Sequence, residues 1–177
     1  MPLKTILKNF FLGKEDKNSK APKRNEEQVL IYSPVNGSVV PLEEIADPVF
    51  SGGIMGKGCG IIPIDEILCS PVSGSISAVF PTKHAIAITS DEGVELLLHI
   101  GVDTVELKGE GFEAYVKPGD HVKKGFPLMK VDNKQLKDKG YDNTIIMIIA
   151  NTDDYKDIKS RGVGILELGS VLLQIIK

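Results

Sequence analysis

A six-residue turn motif occurs twice in this chain and limits the folds that the chain can adopt. Ser-Pro-Val-Asn-Gly-Ser at 33–38 returns as Ser-Pro-Val-Ser-Gly-Ser at 70–75, with five of the six residues identical. Glycine holds the same place in both copies, which indicates one backbone turn used twice. A duplicated turn of this kind is typical of short strands joined by tight turns rather than of long helices.

Strand-like segments separated by turn residues continue from Val29 to the end of the chain. A second related pair lies nearer the C-terminus, where Gly125 leads into residues 126–131 and Gly169 leads into residues 171–176. Short helical turns are predicted at three places, Leu42–Ile45, Lys134–Lys139 and Asp153–Ile158. The sequence therefore predicts an all-β fold, an antiparallel β-sandwich or barrel built from a duplicated motif, with short helical turns.

Length and composition favour one folded domain. The chain has 177 residues, of which 42% are hydrophobic and 25% charged, which suits one soluble core. Cys59 and Cys69 have neither zinc-site nor CxxC spacing, which is typical of a reducing cytoplasm. No stretch reaches the ~20 apolar residues that a membrane-spanning helix needs. We expect a soluble cytoplasmic protein.

The charge is distributed unevenly along the chain. Residues 1–24 contain seven basic and two acidic residues, a net charge of +5. Since the whole chain has a net charge of −3, the remaining residues have a net charge of −8. An acidic body of this kind is a poor nucleic-acid binder and suits basic protein partners.

The N-terminal segment, residues 1–12, has a helical spacing of apolar residues: Leu3, Ile6, Leu7, Phe10 and Phe11. Residues 13–28 are polar and predict a flexible linker, so the folded domain is expected at 29–177. A helix this short is unstable alone in water but could form on an anionic membrane surface. The alternative is a disordered tail with accidental periodicity, and the sequence alone leaves both open.

Two of the chain's three histidines lie in apolar, strand-like segments. His99 follows three leucines in the run Leu96–Val102, and His84 lies in the alternating run Thr82–Ile88. Buried polar groups of this kind are usually satisfied or used. If the two strands are antiparallel neighbours, the two imidazoles can face each other, with the hydroxyl of Thr82 beside them.

Three interpretations of this pair follow from the residues. Either histidine alone is more often a satisfied core residue than a reactive one. Zinc needs three protein ligands as a rule, and neither HxH nor HExxH occurs in the chain. A nucleophilic histidine is the third interpretation, with one ring nitrogen held by a partner and the other left as a free lone pair.

The segment Gly93–Val105 closely resembles the signature of the glucose-type IIA component of the bacterial phosphoenolpyruvate-dependent sugar phosphotransferase system. The resemblance extends from about Ile31 to Lys177 and includes the Ser-Pro-Val-x-Gly turns. It implies that His99 carries a phosphoryl group, and that His84 and Thr82 position and stabilise the phosphoryl oxygens. It also implies a covalent phosphohistidine in place of any cofactor; zinc would bind His84 and His99 only adventitiously or when a partner completes the site.

The same resemblance implies the partners. The phosphocarrier protein HPr would donate the phosphoryl group to Nε2 of His99, a cysteine on the IIB domain of a sugar permease would receive it, and regulatory targets would sense the phosphorylation state. Backbone N–H groups from Gly101 to Asp103 would assist as fixed dipoles. Partners would dock on an apolar ring with Asp47 and Asp103 at its acidic margin; this docking ring comprises Val49, Phe50, Ile54, Met55, Phe80 and Val102. Residues 1–12 would make a peripheral membrane contact.

The main alternative of another class is a zinc metallopeptidase-like domain of the lysostaphin type, whose duplicated β architecture has similar turns. That family needs an Asp shortly after its first histidine and an HxH later, and the residues after His84 and His99 supply neither. A biotinyl or lipoyl carrier domain would need a modified lysine at a hairpin tip, and no such hairpin stands out.

Overall fold

The computed structural model describes residues 28–177, and within them short alternating segments form fourteen β-strands. In chain order the strands are β1 (Gln28–Tyr32), β2 (Gly37–Pro41), β3 (Lys57–Pro63), β4 (Ile67–Cys69), β5 (Gly74–Val79), β6 (Ala85–Ser90), β7 (Glu95–Ile100), β8 (Phe112–Ala114), β9 (His121–Val122), β10 (Pro127–Val131), β11 (Ile145–Ile149), β12 (Asp157–Ser160), β13 (Gly164–Leu166) and β14 (Val171–Ile176). Helical segments are short: the α-helices Pro48–Ser51 and Asn133–Asp138, and the 3₁₀ turns Leu42–Glu44, Thr104–Leu107 and Thr152–Asp154.

The strands form three sheets that enclose one main core. The largest has eight strands in the order β13-β2-β3-β11-β7-β6-β5-β9, and the other two have the orders β1-β14-β12 and β4-β10-β8. Every strand pairing in residues 28–177 is antiparallel. Buried side chains from all three sheets meet in a single hydrophobic cluster. The predicted all-β antiparallel architecture is confirmed.

The duplicated turn has the same structure in both copies. The hydroxyl of Ser33 donates a hydrogen bond to the carbonyl of Val35 at 2.6 Å, and that of Ser70 donates to the carbonyl of Val72 at 2.7 Å. Both serines are buried, so the bonds satisfy hydroxyls that would otherwise be costly in the core.

The two copies also bind each other. The Tyr32 N–H donates to the carbonyl of Pro71, and the Cys69 N–H donates to the carbonyl of Pro34. These reciprocal bonds join the two halves of the domain at the repeated motif.

The glycine of each copy is required by close approach rather than by a left-handed backbone. A Cβ on Gly37 would collide with the carbonyl of Ile62, and a Cβ on Gly74 would collide with the carbonyl of Thr89. Each glycine therefore begins a strand where a neighbouring backbone leaves no room for a side chain.

Two of the three predicted helical turns, Leu42–Ile45 and Lys134–Lys139, are confirmed within one residue at each end. The third, Asp153–Ile158, is wrong in its second half because β12 begins there. Ile158 pairs with Ile175 of β14, so its apolar side chain serves a sheet rather than a helical turn.

A second, smaller hydrophobic cluster lies on the outer face of the eight-stranded sheet, opposite the main core. Its buried members are Leu42, Ile45, Phe50, Ile146 and Ile148, with Val40, Leu97 and Val102 packed against them. The outer face near the histidines is therefore apolar and partly covered by the segment between β2 and β3.

The predicted amphipathic segment 1–12 and all but the last residue of the predicted linker 13–28 lie outside the described residues. Strand β1 begins at Gln28, where that linker was predicted to end. None of the helices in residues 28–177 is long and apolar enough to cross a membrane.

Candidate functional site

His99 lies on β7, near the centre of the eight-stranded sheet between β6 and β11. Its backbone pairs with Ala85 of β6. Its neighbours Leu98 and Ile100 are buried in the main core, so His99 points to the outer face, because side chains alternate along a strand. There its ring packs against Phe50 with the ring centroids 4.9 Å apart.

His84 stands immediately before β6, beside the same point of the sheet. Its carbonyl accepts a hydrogen bond from the Ile100 N–H at 2.8 Å, which fixes its backbone next to β7. The imidazole rings of His84 and His99 meet edge to face, with centroids 4.9 Å apart and 80° between their planes. The structure thus brings the two predicted histidines together.

Thr82 and Phe80 complete the surroundings of His84. The hydroxyl of Thr82 lies 2.6 Å from Nδ1 of His84, a hydrogen bond whose direction depends on the ring tautomer. The ring of Phe80 meets that of His84 edge to face at a centroid distance of 5.5 Å. Because Thr82 occupies Nδ1, Nε2 is the nitrogen of His84 that remains for another partner.

Both imidazoles favour the neutral form. Burial lowers the pKa of His99 to about 4, and the nearby charge of His84 acts in the same direction. The backbone of Gly101 and the carboxylates of Asp47 and Asp103 act to raise the pKa of His99 but do not outweigh burial. Burial also lowers the pKa of His84. At neutral pH each ring therefore has one N–H and one nitrogen with a lone pair.

The two nitrogens of His99 have different surroundings. Nδ1 is buried and has no hydrogen-bond partner of good geometry among residues 28–177. The nearest backbone influence comes from Gly101, which acts on the ring as a hydrogen-bond acceptor because it favours the protonated form. The ring is therefore held with Nδ1 inward, and a group that arrives from solvent can reach only Nε2.

Asp47 and Asp103 are both placed by local backbone features. Asp47 is the N-cap of the helix Pro48–Ser51, where its carboxylate accepts the N–H of Val49 at 2.9 Å. Asp103 has a left-handed backbone (φ 58°) and precedes the 3₁₀ turn Thr104–Leu107. Their shared effect on the pKa of His99 agrees with a position close to it.

Four of the six residues of the predicted docking ring are exposed, and two of the six, Phe50 and Phe80, contact the histidine rings. Ile54 is 82% exposed and Val49 48% exposed, and Met55 and Phe80 are exposed as well. Phe50 differs, because it is buried against His99 and forms part of the floor of the site rather than its rim.

Two features of the loop that follows His99 were not visible in the sequence pattern. Val105 is an exposed apolar residue on the same loop as Asp103, and its place in a 3₁₀ turn gives no periodic signal. The N–H of Gly101, expected to help bind an anion, instead donates to the carbonyl of Thr144 at 2.8 Å. Gly101 therefore contributes to the architecture of the site rather than its N–H to an incoming group.

Among residues 28–177 there is no group of three or more His, Cys, Asp or Glu side chains arranged to hold a metal ion. The two cysteines there are free and buried, and burial raises the pKa of the Cys59 thiol to about 12. The described residues thus provide no site for the zinc peptidase alternative.

Comparison with known proteins decides the family. The model of the phosphoenolpyruvate-dependent sugar phosphotransferase system, EIIA 1, matches residues 29–155, which include both histidines. This chain belongs to that EIIA family. A glucose-specific EIIA component of Oceanobacillus iheyensis is 40% identical over 97% of this chain and 99% of its own length. The EIIA family is therefore represented by a relative that aligns from end to end.

Other EIIA relatives are parts of larger proteins. A beta-glucoside-specific EIIBCA component of Bacillus subtilis is 44% identical over 94% of this chain, but the chain spans only 28% of that relative. Among solved structures, the glucose permease IIA from Mycoplasma capricolum has 35% identity and a TM-score of 0.76, covering 83% of this chain and 95% of that one. The EIIA fold and the β-sandwich described above agree.

Proposed function

We propose that this chain accepts a phosphoryl group from phospho-HPr on Nε2 of His99 and passes it to a cysteine of the IIB domain of a sugar permease. The observation that carries this proposal is the edge-to-face contact between the rings of His84 and His99, in which Nδ1 of His99 is buried and the rings of Phe50 and Phe80 pack beside the pair. Family membership makes the chain a component of the sugar phosphotransferase system, and relatives that contain EIIB and EIIC parts support the IIB partner.

The accepting nitrogen follows from burial. Nδ1 of His99 is enclosed, so an in-line approach to the ring from solvent ends at Nε2. Since the pKa of His99 is about 4, Nε2 carries a lone pair at neutral pH without prior deprotonation.

The transfer then consists of two displacements at phosphorus. In the first, the lone pair of Nε2 forms the new N–P bond while the N–P bond of phospho-HPr breaks, and its electron pair returns to the HPr imidazole. In the second, a cysteine thiolate of IIB forms an S–P bond while the bond to Nε2 breaks and the electron pair returns to His99. Catalysis of such steps consists mainly of aligning the reacting groups and stabilising the charge on the phosphoryl group.

His84 and Thr82 stabilise the charge on the phosphoryl oxygens in this proposal. If the Thr82 hydroxyl donates to Nδ1 of His84, the proton of the neutral imidazole resides on Nε2. His84 then offers one fixed N–H donor next to His99, at the place where negative charge arrives.

The docking ring is suited to transient binding of partners. Its exposed apolar side chains provide contact area, and Asp47 and Asp103 add negative charge at the margin, which favours basic partner surfaces. HPr, IIB and any regulatory target would use this same face. Residues 1–12 would bring the chain to the cytoplasmic side of the membrane, near the permease.

The test is intact-mass spectrometry after incubation with phosphoenolpyruvate, enzyme I and HPr. We expect one acid-labile phosphoryl group on the wild type and none on His99→Gln. His121→Gln is the matched control, because His121 is exposed and bonded to Asp91 away from the site, and it should be phosphorylated like the wild type. Phosphorylation of His99→Gln would overturn the proposal, and so would a wild type that stays unmodified in the presence of phospho-HPr.

A further inference from the structure

Residues 142–144, which precede β11, contact the backbone of Gly101, two residues after His99. The N–H of Gly101 donates to the carbonyl of Thr144 at 2.8 Å. Gly101 has a left-handed backbone (φ 74°), and a Cβ there would collide with the carbonyl of Asp142. The glycine is therefore pressed against residues 142–144, and its conformation depends on theirs.

The side chain of Asp142 fixes this loop. One carboxylate oxygen accepts hydrogen bonds from both the N–H and the hydroxyl of Thr144, each at 2.7 Å. Thr144 is buried, whereas Asp142 is exposed, so the carboxylate joins the buried threonine to the surface of the loop. A carboxylate that accepts two hydrogen bonds from one residue restricts both its backbone and its rotamer.

The peptide group between Ile100 and Gly101 is held on both sides. Its N–H donates to Thr144, and its carbonyl accepts the buried hydroxyl of Thr104. This peptide plane and the φ angle of Gly101 place the carbonyl carbon of Gly101, and its ψ angle then sets the direction of the carbonyl oxygen.

We assign this carbonyl to Nδ1 of His99 as its acceptor. The nitrogen is buried without a well-formed hydrogen bond among the described residues, and Gly101 acts on the ring as an acceptor. An acceptor facing Nδ1 favours the tautomer with the proton on Nδ1, and this leaves the lone pair on Nε2.

We propose that Asp142 and Thr144 are positioning residues that hold Gly101 so that its carbonyl faces Nδ1 of His99 and sets the reactive tautomer. The proposal rests on the proposed function for its kinetic consequence, but the tautomer itself belongs to the unphosphorylated protein. Around metal ions, partners that orient a ligating histidine through its second nitrogen typically change affinity or activity about 10- to 100-fold when removed, and we expect an effect of about 10-fold here.

The decisive measurement is ¹⁵N NMR of the His99 ring in the full chain, combined with the initial rate of phosphorylation by phospho-HPr. In the wild type we expect the Nδ1–H tautomer. In Asp142→Ala we expect a mixture of tautomers and a rate about 10-fold lower. Asp142→Asn keeps an oxygen that can accept both bonds from Thr144, so it should restore the wild-type tautomer and most of the rate.

Asp120→Ala is the matched control. Asp120 accepts the N–H of Lys117 in a loop next to the edge strand β9, so its loss removes a comparable loop bond away from His99. It should leave both the tautomer and the rate unchanged. An unchanged tautomer in folded Asp142→Ala would overturn the proposal, and so would an equal change in Asp120→Ala.

If Asp142→Ala does not fold, Thr144→Val takes its place, because it removes one of the two bonds to the carboxylate and keeps the shape of the side chain. A smaller shift in the same direction is then expected, and an unchanged tautomer overturns the proposal. Failure of the proposed function has a different signature: the wild type would show the Nδ1–H tautomer but would not accept a phosphoryl group.

Discussion

The imidazole rings of His84 and His99 meet edge to face, with their centroids 4.9 Å apart, although the two residues come from different strands. His84 is close enough to lower the pKa of His99, and both residues are partly or fully buried. A pair of neutral imidazoles can divide the work, since one can supply a lone pair while the other supplies an N–H.

Replacing His84 by Gln should raise the pKa of His99. Burial is the main cause of its low value of about 4, and the charge of His84 is the next cause, so removing His84 relieves only part of the depression. An NMR titration should give a midpoint for His99 that is higher than in the wild type and still below the ordinary histidine pKa of 6.5. An unchanged or lower midpoint would show that the two rings do not interact.

His84→Gln should impair the delivery of the phosphoryl group more than its acceptance. The incoming step uses a neutral imidazole as nucleophile, whereas the outgoing step brings an anionic thiolate to an anionic phosphoryl group. The N–H of His84 therefore matters more in the second step, where we expect a rate loss of about 100-fold, against less than about 10-fold in the first. Single-turnover transfer from phospho-HPr and then to IIB measures both, and equal losses would contradict this role for His84.

Ile54→Asp should weaken the binding of HPr about 10-fold or more without lowering stability, because Ile54 is exposed and makes little core contact. Ile165→Asp is the matched control. Ile165 is 83% exposed, nearly the same as Ile54 at 82%, but lies on the edge strand β13. Isothermal titration calorimetry with HPr should therefore separate the two variants. Equal losses of affinity would mean that the docking ring has no special role.

Zinc should bind the isolated chain weakly and only through both imidazoles. Two nitrogen ligands fall short of the three that zinc sites usually have, and no third ligand is arranged around them in residues 28–177. Calorimetric titration with Zn²⁺ should show weak binding that either His84→Gln or His99→Gln abolishes. Tight, stoichiometric binding by the chain alone would contradict the expectation of a site that only a partner can complete.

Deletion of residues 1–12 should spare phosphoryl acceptance and reduce binding to vesicles that contain anionic lipid. The apolar spacing and the lysines of this segment favour an interfacial helix. A vesicle co-sedimentation assay with the full and shortened chains measures the difference. Unchanged sedimentation would make the segment an ordinary tail.

The sequence predicted much of this domain because its strongest signals are local. The duplicated Ser-Pro-Val turn indicated paired tight turns, and His84 and His99 stood out as polar residues in apolar strands. The helix Pro48–Ser51 was missed although its signal was present, since Asp47 followed by Pro48 is a typical helix N-cap and first position.

The remaining features depend on residues that are far apart in the sequence. Phe50 was predicted as part of an exposed ring, but its packing against His99 requires the segment between β2 and β3 to fold over the outer face. The bond between Gly101 and Thr144 likewise exists only because β7 and β11 are neighbours in the sheet. No periodicity along the chain carries such information.

The burial of Nδ1 also determines the order in which partners can bind at the proposed site. Because only one nitrogen is reachable, donor and acceptor must use the same binding site. The phosphoryl donor therefore has to dissociate before the acceptor can bind. Donor and acceptor then compete for one site. An excess of unphosphorylated HPr should therefore slow sugar uptake as a competitive inhibitor, without any conformational change.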